Sequence, residues 1–102
     1  MKYNKLVRDK IPEIIKKKNL IPMTHLANDK EYWERLKEKL LEETKEFIKE
    51  SNEEELADIL EVIDAVCKFK NFDKDKVEEI KKQKAEKRGG FKKRIILDEV
   101  KE

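Results

Sequence analysis

Five carboxylates in two short clusters carry most of the chemistry that this chain can offer: Glu42, Glu43 and Glu46 in one stretch, Glu55 and Asp58 in the next. Glu43 and Glu46 are three residues apart, as are Glu55 and Asp58, so on helices each pair shares a face. An unpaired carboxylate on or beside an apolar face is costly, and a hard cation such as Mg²⁺ offsets the repulsion through oxygen ligands. Two facing pairs could enclose one or two such ions and leave positions for water and phosphate oxygens. Ions held there would neutralise phosphoryl oxygens and lower the pKa of an attacking water. A carboxylate left free of the metal, Glu42 first, could orient or deprotonate that water. The bland alternative is that all five are solvent-facing partners in a lysine-rich surface.

Helical periodicity decides which carboxylates matter. Asn28 followed by Glu31, or Asp29 alone, can cap a helix from about Lys30 to Glu50. Its core face reads Trp33, Leu36, Leu40 and Phe47, widened by Leu41 and Ile48. With Leu36 at zero and about 100° per residue, Leu40 and Phe47 fall within about 40°, and Glu43 about 20° to the other side. Glu43 therefore interrupts the core stripe, with Glu46 at its margin and Glu42 further out. Ser51 with Glu54, or Asn52 with Glu55, supplies a second capping box before a helix from about Glu53 to Phe69. That helix has a broad arc of Leu56, Ile59, Leu60, Ile63, Val66 and Cys67, with Val62 on the flank. Glu55 points within about 20° of Val62 and Val66, and Asp58 just beyond Val62. Glu61 and Asp64 repeat the spacing but point to the polar side. So short a turn makes the two helices antiparallel neighbours, with both acidic clusters near the shared end.

The rest of the chain supplies anion-binding groups and packing. Pro12 suits the first turn of a short helix through Glu13, Ile14, Ile15 and Lys16. Residues 19–28 form a connection with room for a short extended piece. Asp73 caps a further helix through about Lys87, whose thin stripe of Val77, Ile80 and Ala85 assigns it to the surface or a subunit contact. Gly89-Gly90 ends it, and Ile95-Ile96-Leu97 then forms a short strand or an extended tail packed on the helices. Lys5, Arg8 and Lys10 surround the first turn, and Lys87, Arg88, Lys92, Lys93 and Arg94 flank the glycine pair. Arginine can grip two phosphate oxygens at once, and a glycine pair lets backbone amides approach an anion. Neither segment has Walker A spacing. Trp33 reads as core, Phe91 as core or base-stacking, and His25 as a loop or packing residue; one histidine without a cysteine cluster gives no zinc signature.

Composition narrows the class. The 102 residues suffice for one domain, residues 1–102, with a small core that favours subunits sharing a face. Charged residues make up 49% of the chain, yet 26 Lys and Arg against 24 Asp and Glu leave +2. That balance, with acidic residues alternating through the basic segments, argues against a stable nucleic-acid complex. A single cysteine, Cys67, excludes an internal disulfide and reads as a buried small hydrophobe. No signal-peptide pattern and no apolar run long enough to cross a bilayer is present, so no membrane partner is expected and the compartment is most simply the cytoplasm.

Tyr3-Asn4-Lys5-Leu6-Val7-Arg8-Asp9-Lys10-Ile11-Pro12-Glu13-Ile14-Ile15 resembles the opening of small proteins in the MazG-like, all-α nucleoside triphosphate pyrophosphohydrolase superfamily, the phosphoribosyl-ATP pyrophosphohydrolase-like members. Lys39 to Glu46 is similar to that family's Glu-Glu-x-x-Glu element, and Glu55-Leu56-Ala57-Asp58 to its Glu-x-x-Asp element. Arg88-Gly89-Gly90-Phe91 and Arg94-Ile95-Ile96-Leu97 extend the likeness over nearly the whole chain. Eight residues separate Glu46 from Glu55, fewer than in larger MazG proteins, so no base contacts are carried over. The resemblance implies an all-α, MazG-like helical bundle built on an antiparallel helix pair, with additional short helices and an extended C-terminal segment. It implies Mg²⁺-dependent hydrolysis of a nucleotide between its α and β phosphates, releasing a nucleoside monophosphate and pyrophosphate. Glu43, Glu46, Glu55 and Asp58 are its metal-ligand candidates. Glu42 and Glu43 are its catalytic candidates, and Lys5, Arg8, Lys10 and Arg94 its phosphate contacts. A homodimer or homotetramer is implied, with helices of more than one subunit around the substrate. The leading role is nucleotide-pool sanitising; the alternatives are a phosphoribosyl-ATP pyrophosphohydrolase of histidine biosynthesis and a non-enzymatic helical interaction module.

Overall fold

A computed structural model describes residues 3–102. They form four α-helices, α1 (Ile11–Lys17), α2 (Asp29–Glu50), α3 (Glu53–Lys70) and α4 (Lys74–Arg88), and no strand among the described residues. The chain divides into two compact units, Met1–Lys70 and Asn71–Glu102.

Local chemistry sets the helix ends. Proline stands in the first turn of α1, where its missing N–H costs nothing. The Glu31 N–H donates to Asn28 Oδ1 at 2.9 Å, and the Glu55 N–H to Asn52 Oδ1 at 2.9 Å, so asparagine capped both long helices. Ser51 closes α2 in the left-handed region (φ 51°), its N–H donating to the Phe47 carbonyl. Asp73 Oδ1 accepts from the Asp75 and Lys76 amides at the start of α4. Among the described residues no helix is long and apolar enough to cross a membrane.

In the first unit α2 and α3 pack antiparallel across the two-residue break at Ser51 and Asn52. The far end of the pair is held by aromatics: Phe69 stacks on Trp33 at 6.0 Å and meets Tyr32 edge-on at 5.2 Å, and Lys70 Nζ sits 4.1 Å from the Trp33 ring centroid. Among the described residues Leu36, Val62 and Cys67 are the buried apolar side chains, Leu36 almost completely. Cys67 thus packs as the small hydrophobe expected, and Trp33 is half-buried.

Three expectations need correction. Leu41 and Ile48 do not widen the core: α3 covers the Leu36, Leu40 and Phe47 side of α2, and these two lie exposed on its flank. Val62, assigned to the flank of α3, is at the centre of the contact, while Leu56, Leu60 and Ile63 are exposed. Residues 95–97 form no strand, and their side chains are exposed rather than packed. A strand needs a ladder partner for its N–H and C=O groups, and no described segment offers one. Residues 20–28 likewise connect α1 to α2 without regular structure. In the second unit α4 has no buried residue, as its thin stripe implied.

Candidate metal centre

The turn between α2 and α3 makes the centre. Glu43 lies two turns before the end of α2, and Glu55 and Asp58 lie in the first two turns of α3, so antiparallel packing brings them level. One carboxylate oxygen from each of Glu43, Glu55 and Asp58 lies within 4.8 Å of the others, and all three side chains are half-buried. Three hard oxygen donors suit Mg²⁺ or Ca²⁺ and not a soft ion. Ligand oxygens of octahedral Mg²⁺ stand about 3 Å apart when adjacent and about 4.2 Å apart when opposite, so three oxygens no more than 4.8 Å from one another would need to draw together to share one ion.

The electrostatics fit a centre short of positive charge. Glu55 has its pKa raised above the ordinary glutamate range, by desolvation first and then by Asp58, Glu43, Glu46 and Glu50. Cations from two sources partly balance the cluster. Arg8 Nη2 donates to Asp58 Oδ1 at 2.7 Å, and Lys5 Nζ to Glu42 Oε1 at 3.2 Å, which lays the N-terminal segment along the carboxylate side of the helix pair. Lys39 Nζ lies 3.3 Å from Glu43 Oε1 and 3.6 Å from Glu42 Oε2. At 18% side-chain exposure, beside Glu43 at 12%, it is the most sheltered cation of the group.

Of the four metal-ligand candidates, Glu43, Glu55 and Asp58 converge, whereas Glu46 is exposed and lies outside the group of three. Glu42 stands one side chain further out, bridged between Lys5 and Lys39. Of the phosphate candidates, Lys5 and Arg8 face the carboxylates. Lys10 precedes α1 with its side chain exposed, and Arg94 belongs to the second unit, with φ at 57°. Lys39 is the residue that sequence reasoning missed, although its spacing to Glu42 and Glu43 is that of a helical ion pair. His25 is a loop residue whose Nε2 lies 2.9 Å from Glu31 Oε1, away from the cluster.

Comparison with protein-family models, with curated proteins and with solved structures gives no match to the chain.

Proposed function

We propose that the chain is a metal-dependent nucleotide pyrophosphohydrolase, cleaving a nucleoside triphosphate between the α and β phosphates to release the monophosphate and pyrophosphate. The observation that carries this reading is the convergence of Glu43, Glu55 and Asp58 from two helices onto a span a divalent ion can bridge. The sequence resemblance to MazG-like enzymes names Glu43, Glu46, Glu55 and Asp58 from motifs, and three of these four are the residues that converge. Glu43, Glu55 and Asp58 would hold Mg²⁺, and the ion would supply positive charge to phosphoryl oxygens. Glu42, beside the cluster and outside it, would accept a proton from water. Arg8 and Lys5 lie on that side and can turn from carboxylate to phosphate, since exposed ion pairs are worth only about 0–1 kcal/mol. Self-association as a homodimer or homotetramer belongs to the same reading, as does a role in clearing non-canonical nucleotides.

A second reading is supported by the same ion pairs. Arg8, Lys5 and Lys39 already engage Asp58, Glu42 and Glu43, as in a non-enzymatic helical module whose charges serve only to hold its segments together. A nucleotide panel that includes phosphoribosyl-ATP, assayed with and without Mg²⁺ and with both products identified, separates the two. Monophosphate and pyrophosphate formed only with metal, and at least 100-fold slower in Glu43→Gln and Glu55→Gln of unchanged helix content, supports the enzyme. Orthophosphate and diphosphate, or equal turnover in both variants, refutes it.

A further inference from the structure

The N-terminal segment crosses one side of the α2–α3 pair. Measured around α2 from Leu36, Arg35 and Glu42 lie at about −100° and −120°, and around α3 from Val62, Asp58 lies at about −40°. In an antiparallel pair of right-handed helices, angles of equal sign lie on the same side of the plane through both axes. All three residues hold the segment: Arg35 Nη2 donates to Asn4 Oδ1 at 3.5 Å, Lys5 Nζ to Glu42 Oε1 at 3.2 Å and Arg8 Nη2 to Asp58 Oδ1 at 2.7 Å. The opposite side carries an exposed apolar face of Leu41, Ile48, Leu56, Leu60 and Ile63, so the segment lies on the polar side and polar contacts hold it. Within residues 4–8 only Leu6 is half-buried. The segment joins α1 through a turn, where the Ile11 N–H donates to the Arg8 carbonyl at 3.0 Å.

We infer that residues 4–8 are an autoinhibitory strap over the cation centre, latched by Arg8 on Asp58 and Lys5 on Glu42 in the cation-free chain and released when the cluster takes a divalent ion. The inference rests on the metal-centre reading above and adds its regulation. Latch and ion need the same carboxylate. An ion about 2.1 Å from either oxygen of Asp58 stands within about 7 Å of Arg8 Nη2, inside the Debye length of about 8 Å, and repels it. Mobility decides which of the neighbouring cations leaves. Lys39 is fixed to α2 itself, with 18% of its side chain exposed, and stays beside Glu43. Lys5 and Arg8, at 43% and 55%, ride on a segment that can swing about the turn before α1. Exposed ion pairs hold weakly, so a double charge at the centre outweighs them. Once free, the ammonium and the guanidinium stay tethered beside the centre, and phosphate oxygens are the acceptors that suit them. Cation binding thus comes before nucleotide binding, because a nucleotide offered without metal meets a strap whose charges are already taken.

Backbone order parameters of residues 5–8, from nitrogen relaxation of the full chain with and without Mg²⁺, test this together with Mg²⁺ affinity by calorimetric titration. The expected values are about 0.85, those of rigid backbone, without metal, and below about 0.6 with saturating Mg²⁺. A strap latched about nine-tenths of the time weakens the ion about tenfold, so Arg8→Gln should tighten Mg²⁺ binding by up to about tenfold and leave residues 5–8 mobile in both conditions. Lys5→Gln, which opens the other latch, should tighten it at least about twofold. Lys10→Gln removes the same charge at an exposed position outside these ion pairs and should change the affinity by less than about twofold, which separates a latch from a general effect of charge. Residues 5–8 mobile without metal, residues 5–8 still ordered in the Mg²⁺-bound chain, or Lys10→Gln matching Arg8→Gln overturns the strap and leaves the metal centre standing. Absence of Mg²⁺ binding in the wild type, Arg8→Gln and Lys5→Gln alike overturns strap and metal centre together.

Discussion

Glu55 is the residue at which the cost of gathering carboxylates is concentrated, because Asp58, Glu43, Glu46 and Glu50 all act on it in addition to desolvation. A carboxyl whose pKa is raised on folding favours the folded state while protonated. That contribution is complete below the unfolded pKa and is lost as pH rises through the folded value. Stability of the metal-free protein should therefore fall as pH climbs above the ordinary glutamate range. Glu55→Gln removes the dependence: its melting temperature should exceed the wild type's at neutral pH without metal and match it at acid pH, and scanning calorimetry across pH checks this. Adding Mg²⁺ should reverse the order, since the wild type gains a bound ion that the variant holds weakly. Lys39 gives the complementary prediction. Its ammonium would compete with a bound cation for Glu43, so Lys39→Met should tighten Mg²⁺ binding several-fold by calorimetric titration while lowering metal-free stability. An unchanged affinity would make Lys39 a helix ion pair without influence on the centre.

At the scale of the element, Asn52 matters more than its size suggests. It accepts the Glu55 amide at 2.9 Å, so one side chain both starts α3 and fixes the backbone of a cation-ligand candidate. Asn52→Ala should cost about 1 kcal/mol in urea unfolding, and it should weaken Mg²⁺ binding more than Asn28→Ala, which removes an equivalent cap far from the cluster. Such caps were legible in the sequence because they are local: Asn28, Asn52 and Asp73 need only their own next three residues. Glu43, Glu55 and Asp58 were legible because a carboxylate inside an apolar stripe has few neighbours to face except the adjacent helix. The same wheel placed Glu46 about 80° from the centre of the stripe, and there a margin position and an exposed one look alike. Leu41, Ile48, Leu56, Leu60 and Ile63 misled for a related reason. Periodicity reports how wide an apolar arc is, but how much of it one neighbour covers depends on what else packs there. The segment 95–97 was ambiguous because β-branched and aliphatic residues favour extended backbone whether or not a ladder partner exists.

At the scale of the molecule, thermodynamics of association and of cation binding should separate cleanly. If two chains share a core, unfolding is a reaction of one dimer to two chains, and its free energy at a given temperature rises by about 1.4 kcal/mol per mole of dimer for each tenfold increase in chain concentration. The melting temperature must then climb with protein concentration, which calorimetry over two decades reads directly. Mg²⁺ contributes through a different term: at about 100 times its dissociation constant an ion adds about 2.7 kcal/mol for each site, whatever the chain concentration. If the carboxylate clusters stand apart from the face that the chains share, the two effects should add, and the concentration dependence should keep the same slope with and without metal. Leu60→Lys should abolish that slope and leave the metal increment, whereas Asp58→Asn should abolish the metal increment and leave the slope. A substitution at either place that removes both would mean that the cation centre and the apolar face are one cooperative structure, with carboxylates gathered only once the second chain is in place.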